Sequence, residues 1–78
     1  MPEVTVRFWA GAQRAAGMSE DTVIAQTVGE LRSLLAERPG MAKVCTVASF
    51  LVDSDPAGDA TALRSGAVVD LLPPFAGG

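Results

Sequence analysis

One segment of this 78-residue chain carries both the start and the stop signals of a helix, and it limits what the rest can build. Thr27 is a good N-cap, and Glu30 stands three residues on to complete a capping box. Val28, Leu31, Leu34 and Leu35 set an apolar stripe at helical spacing, and Pro39-Gly40 ends the run. The spacing predicts a helix over 27–38, with Met41–Val44 able to add a turn. A helix with one apolar face must bury it against another layer, and the remaining apolar segments read as strands.

Val4, Val6 and Phe8 alternate with Thr5, Arg7 and Trp9, a period of two that predicts a strand with one buried face. Residues 10–20 are rich in Ala and Gly and read as a connection that could hold a helical turn. Thr22–Ala25 is a short β-branched run, the return strand of a hairpin. Val47–Val52 reads as a central strand that ends at the turn cluster Asp53-Ser54-Asp55-Pro56. Ser65-Gly66 turns the chain into a last strand, Ala67–Leu72, which Pro73-Pro74 stops because neither can donate to a sheet. The order β-β-α-β-β describes a small α+β domain in which one main helix covers one face of a mixed sheet. Phe8, Leu31, Leu34 and Leu71 are expected in the core between them.

Composition narrows the function classes. Hydrophobic residues make up 49% and charged residues 19%, so the chain folds rather than staying disordered. A chain this short buries little more than ~60% of its unfolded surface, which leaves little room for a deep catalytic pocket. The net charge is -3, and the six Lys and Arg form no cluster, which argues against nucleic acid and anionic membranes and eases docking to a basic protein partner. Cys45 is the single cysteine, so no internal disulfide can form. Its setting beside an apolar strand reads as a buried, inert thiol. The chain has no histidine, the commonest general base and zinc ligand. The start, Met1-Pro2-Glu3-Val4-Thr5, has no signal-peptide pattern, and no apolar stretch approaches the ~20 residues of a membrane span. A cytoplasmic protein is expected.

Residues 1–72 read as the folded domain and 73–78 as a flexible tail, Pro73-Pro74-Phe75-Ala76-Gly77-Gly78. Fully extended, six residues reach roughly 20 Å. The prolines favour an extended conformation that holds the tail off the body, and the glycines, lacking Cβ, let it enter a narrow channel. The Gly78 carboxylate sits on an unhindered carbon. It is inert until its oxygen becomes a leaving group. Activation by ATP to an acyl adenylate, followed by displacement by a sulfur nucleophile, would leave a thiocarboxylate.

Trp9-Ala10 closing the first strand, Thr27-Val28-Gly29-Glu30-Leu31 opening the helix, and Leu71-Leu72-Pro73-Pro74-Phe75-Ala76-Gly77-Gly78 together resemble the small subunits of molybdopterin synthase. The Pro-Pro-x-x-Gly-Gly ending is the most specific part. Leu71-Leu72 stands where that family often has two phenylalanines. The resemblance implies the ubiquitin-like β-grasp fold, shared with the sulfur carrier of thiamine thiazole synthesis, and no enzyme activity of its own. It implies that an adenylating enzyme of the E1 type uses ATP to activate Gly78, next to Gly77, and that sulfur is installed as a C-terminal thiocarboxylate with no bound cofactor. It further implies a large synthase subunit as partner, in a heterotetramer. That subunit would receive Pro73, Pro74, Phe75 and Ala76, with Trp9 and Leu72 at the root of the tail, and sulfur would pass to the pterin precursor of molybdopterin.

Alternation puts Trp9 on the open face of the sheet, opposite Val4, Val6 and Phe8; packing against the 10–20 connection is the other possibility. Asp53, Asp55, Gly58 and Asp59 imitate a calcium loop, but Ala57 and Arg64 stand at ligand positions, and an acidic surface turn is expected with no metal. Arg7, Arg14, Arg32, Arg38, Lys43 and Arg64 are scattered and read mostly as solvated surface. Two other roles remain open: carrying sulfur for thiazole, cysteine or siderophore synthesis, and non-covalent binding by a ubiquitin-like fold whose glycines are incidental.

Overall fold

The structure, a computed structural model, describes residues 2–74. The elements run β1 (Glu3–Phe8), α1 (Ala10–Ala16), β2 (Glu20–Ile24), α2 (Val28–Ala36), α3 (Ala42–Val47), β3 (Ser49–Val52), β4 (Asp55–Ala57) and β5 (Val68–Leu72). The strands make one mixed sheet in the order β2-β1-β5-β3-β4. β1 lies antiparallel to β2 and parallel to β5, while β3 lies antiparallel to both β5 and β4. This is the α+β, ubiquitin-like β-grasp arrangement.

α2 forms where its caps allow. Thr27 Oγ1 accepts from the Glu30 amide at 3.1 Å, and Glu30 Oε1 accepts from the Gln26 amide at 2.6 Å, one residue earlier than a capping box usually returns. Val28, Leu31 and Leu35 are buried against Val4, Val6 and Phe8 of β1, Phe50 of β3, and Val69 and Leu71 of β5. Leu34 corrects the expectation: it is 39% exposed. At 3.6 residues per turn it stands roughly 90° from the centre of the stripe set by Val28, Leu31 and Leu35.

Three other readings change. Residues 10–16 form a seven-residue helix instead of a connection with a turn. Val47 is not in a strand; it closes α3 with 58% of its surface exposed, and β5, not β3, occupies the middle of the sheet. The supposed turn Asp53–Pro56 is shorter than expected. Asp53 and Ser54 alone make it, at φ 48° and 75°, between the paired residues Val52 and Asp55. Two successive left-handed residues give the hairpin turn whose twist suits the strands it joins. β4 then pairs along β3 at the sheet edge, where Pro56 is tolerated.

Cys45 is buried in the core, and desolvation pushes its thiol up. Gly29 has a packing reason. Its amide donates to the Asp59 carbonyl at 2.9 Å, and a Cβ there would lie 3.1 Å from both that oxygen and Asp59 Cβ. Gly29→Ala gains up to about 1 kcal/mol in helix propensity, but the crowded atom is a backbone oxygen already committed to the helix. The expected result is a lower melting temperature; a rise by the full propensity gain would show that the 58–61 loop yields freely.

Candidate functional site

The helices cover one face of the sheet. On the other face, strand register sets a row across all five strands: Glu20 opposite Arg7, Arg7 opposite Asp70, Asp70 opposite Leu51, and Leu51 opposite Pro56. Two residues further along on the same face, Leu72 ends β5 opposite Ser49 of β3. Leu51 and Leu72 are half-buried and Pro56 is exposed. The face is therefore mostly apolar at the end from which the chain leaves the sheet.

Trp9 borders this end. It is the residue before α1, in extended backbone, and its carbonyl accepts from Ala12 and Gln13 while its amide donates to the Leu71 carbonyl at 3.3 Å. Ala10, which follows it, sits at φ 48°, a left-handed conformation costly for a residue with a Cβ. The chain thus turns sharply from β1 into α1 at Trp9. Trp9 is 44% exposed, and its Nε1 donates to Asp70 Oδ1 at 2.9 Å. Of the two placements open to Trp9 in the sequence, the structure has it on the open face, fastened to β5.

Asp70 also accepts from Arg7 Nε at 2.7 Å and from Arg7 Nη2 at 3.1 Å. The Arg7 guanidinium lies 5.5 Å from the Trp9 ring centroid, within cation–π range. Arg7's hydrogen bonds, joined by that of the indole, hold the Asp70 carboxyl below its ordinary value, and the same bond raises Arg7. Neither Asp70 nor the pairing of Arg7 was evident in the sequence. The one available signal was an aspartate interrupting the apolar run Ala67–Leu72.

Pro73 is half-buried and Pro74 exposed. Phe75, Ala76, Gly77 and Gly78, expected to enter the partner and to react, lie outside the described residues. Asp53 Oδ1 accepts from the Val68 amide at 3.0 Å, and Asp59 pairs with Arg32 at 3.0 Å, so both have roles in holding loops. Among the described residues no group of three or more His, Cys, Asp or Glu could hold a metal ion, and no helix is long and apolar enough to cross a membrane.

Comparisons with known proteins agree with this geometry. No curated protein matches the sequence at a significant level. Solved structures do. A chain in the complex of subunits 1 and 2 of the molybdopterin-converting factor of Helicobacter pylori is 28% identical, with a TM-score of 0.77 over 97% of this chain and 99% of that one. The small archaeal modifier protein 1 of Methanosarcina acetivorans is 26% identical, with a TM-score of 0.84 over 100% and 98%. The HVO 2177 protein of Haloferax volcanii is 30% identical, with a TM-score of 0.80 over 99% and 87%. The ThiS family profile matches residues 6–78, from the first strand through the final Gly-Gly. The chain belongs to the ThiS family.

Proposed function

We propose that this chain is a cytoplasmic sulfur carrier that acts as the small subunit of a molybdopterin synthase. The observation that carries the reading is the family match running through Pro73-Pro74 to Gly77-Gly78 on a β-grasp body, together with the likeness to a chain of the two-subunit converting-factor complex. The chain's own part is to present a carboxylate and a docking face. An oxygen of the Gly78 carboxylate attacks the α-phosphate of ATP on an E1-type adenylating enzyme, and pyrophosphate leaves. Hydrosulfide delivered by the sulfur source then attacks the acyl carbon, the acyl–phosphate bond breaks, AMP leaves, and a thiocarboxylate remains. The large subunit takes the tail and the sulfur passes to the pterin precursor.

The likeness to the Methanosarcina modifier protein favours a second reading. There an amine of another protein, rather than sulfur, attacks the activated Gly78. Incubation with the adenylating enzyme, ATP, a sulfur source, the large subunit and the pterin precursor separates the two. Molybdopterin is the expected product. Amide-linked conjugates without molybdopterin would favour the modifier.

Docking gives a further expectation. A short tail orders at a free-energy cost that its own contacts barely offset, so the sheet face beside it supplies affinity. Trp9→Ala should weaken binding to both the adenylating enzyme and the large subunit by ~2 kcal/mol, roughly thirtyfold. Calorimetric titration reads this, with circular dichroism confirming the fold. Equal affinities for a folded Trp9→Ala would remove Trp9 from the interface.

A further inference from the structure

Asp70 is the one buried charged residue among those described, at 6% exposure, and it lies on the sheet face that no helix covers. A leucine would cover that face as well and would need no partners. Replacing both members of a buried ion pair by apolar groups of similar size is often neutral or stabilising, so stability alone does not demand a carboxylate here. Its geometry does. One carboxylate takes both Arg7 nitrogens and the Trp9 indole, and Arg7 in turn stacks near the Trp9 ring. Each side chain of the three is held by the other two. They stand in register with the end of β5, beside Leu72, where the tail leaves the sheet.

We infer that Asp70 is a positioning residue: by binding the Trp9 indole and the Arg7 guanidinium together, it fixes the wall of the docking face that the synthase large subunit meets at the root of the tail. The inference rests on the docking role proposed above. Without Asp70 the indole would rotate, and its ordering would be charged to the binding step. That cost, for one or two immobilised side chains, corresponds to a roughly two- to tenfold loss of affinity.

Trp9 is the only tryptophan, so its fluorescence reports on this site alone. The experiment measures acrylamide quenching and anisotropy of the full chain and of Asp70→Asn and Asp70→Leu, then titrates each against the large subunit. Wild-type quenching should steepen as pH falls through the Asp70 titration, below the ordinary carboxylate range, because the charged form is the one that holds the indole. The charged neighbours are Arg7, which bonds Asp70 directly, and Glu20 beyond it on β2; the facing residue on β3 is the neutral Leu51. Asp70→Asn should lack that step. Asp70→Leu should stay folded but melt lower than wild type, because Arg7 and the indole N–H lose their shared partner; it should also quench more steeply at neutral pH and bind the large subunit about two- to tenfold more weakly. Wild-type quenching in folded Asp70→Asn and Asp70→Leu would overturn the inference, as would a loosened indole with unaltered affinity. If the wild-type chain fails to bind the large subunit, the functional reading falls instead, and the quenching comparison decides on Asp70 by itself.

Discussion

Removing Gly78, or adding one residue after it, should abolish sulfur transfer and leave thermal unfolding unchanged. The two halves of this expectation have separate causes. Among the described residues every buried member of the core lies at or before Leu71, so the loss of a residue seven positions further on should change stability by less than about 0.5 kcal/mol. The chemistry is far less tolerant. One residue more or less moves the reacting carboxylate by about 3.5 Å along the chain, and a displacement of about 1 Å at a reacting centre already costs on the order of a hundredfold. The variants are compared by molybdopterin formed per carrier and by melting temperature. Wild-type turnover by the variant lacking Gly78 would mean that neither Gly78 nor the length of the tail is required for sulfur transfer.

The second large effect contrasts two neighbours on α2. Leu35 is buried completely and Leu34 is 39% exposed. Leu35→Ala should cost about 2–5 kcal/mol through lost contacts and the cavity left behind, whereas Leu34→Ala should stay near 0.5 kcal/mol, as surface changes do. A domain of this length holds roughly 4–12 kcal/mol in total, so Leu35→Ala approaches unfolding and Leu34→Ala does not. Urea denaturation of both variants measures the difference. Equal losses would mean that the helix is rotated from the orientation described.

The same pair shows how far the sequence could be read. Caps and spacing located α2, but a stripe of four apolar positions is wider than the surface one helix buries, and only the packed sheet selects among them. β1, β2 and β5 were legible because their signals are local: alternation in β1, a β-branched run in β2, and in β5 an apolar run bounded by Ser65-Gly66 and Pro73-Pro74. β4 was not, because Asp55-Pro56-Ala57 has low strand propensity and extends only by pairing with β3. α1 was hidden by its entry: Trp9 makes no side-chain cap bond, and Ala10 turns the chain with a backbone angle that no residue type announces. For the candidate site, the Gly-Gly motif and Trp9 could be singled out from sequence. The cluster of Trp9 with Arg7 and Asp70 could not. Arg7 and Asp70 are 63 positions apart and meet only because β1 and β5 pair in parallel.

The claim at the centre of the account is that Gly78 carries sulfur, and the mass of the chain tests it most directly. The protein is produced with its adenylating enzyme and a sulfur source, purified without reductant, and its intact mass and C-terminal peptide are measured. Exchange of one oxygen for sulfur adds about 16 Da, localised to the Gly78 carboxyl and absent when Gly78 is deleted, in keeping with activation confined to a terminus that an enzyme can thread into its site. An unchanged C-terminal mass, in the presence of an adenylating enzyme shown to form AMP from ATP on this chain, would contradict it.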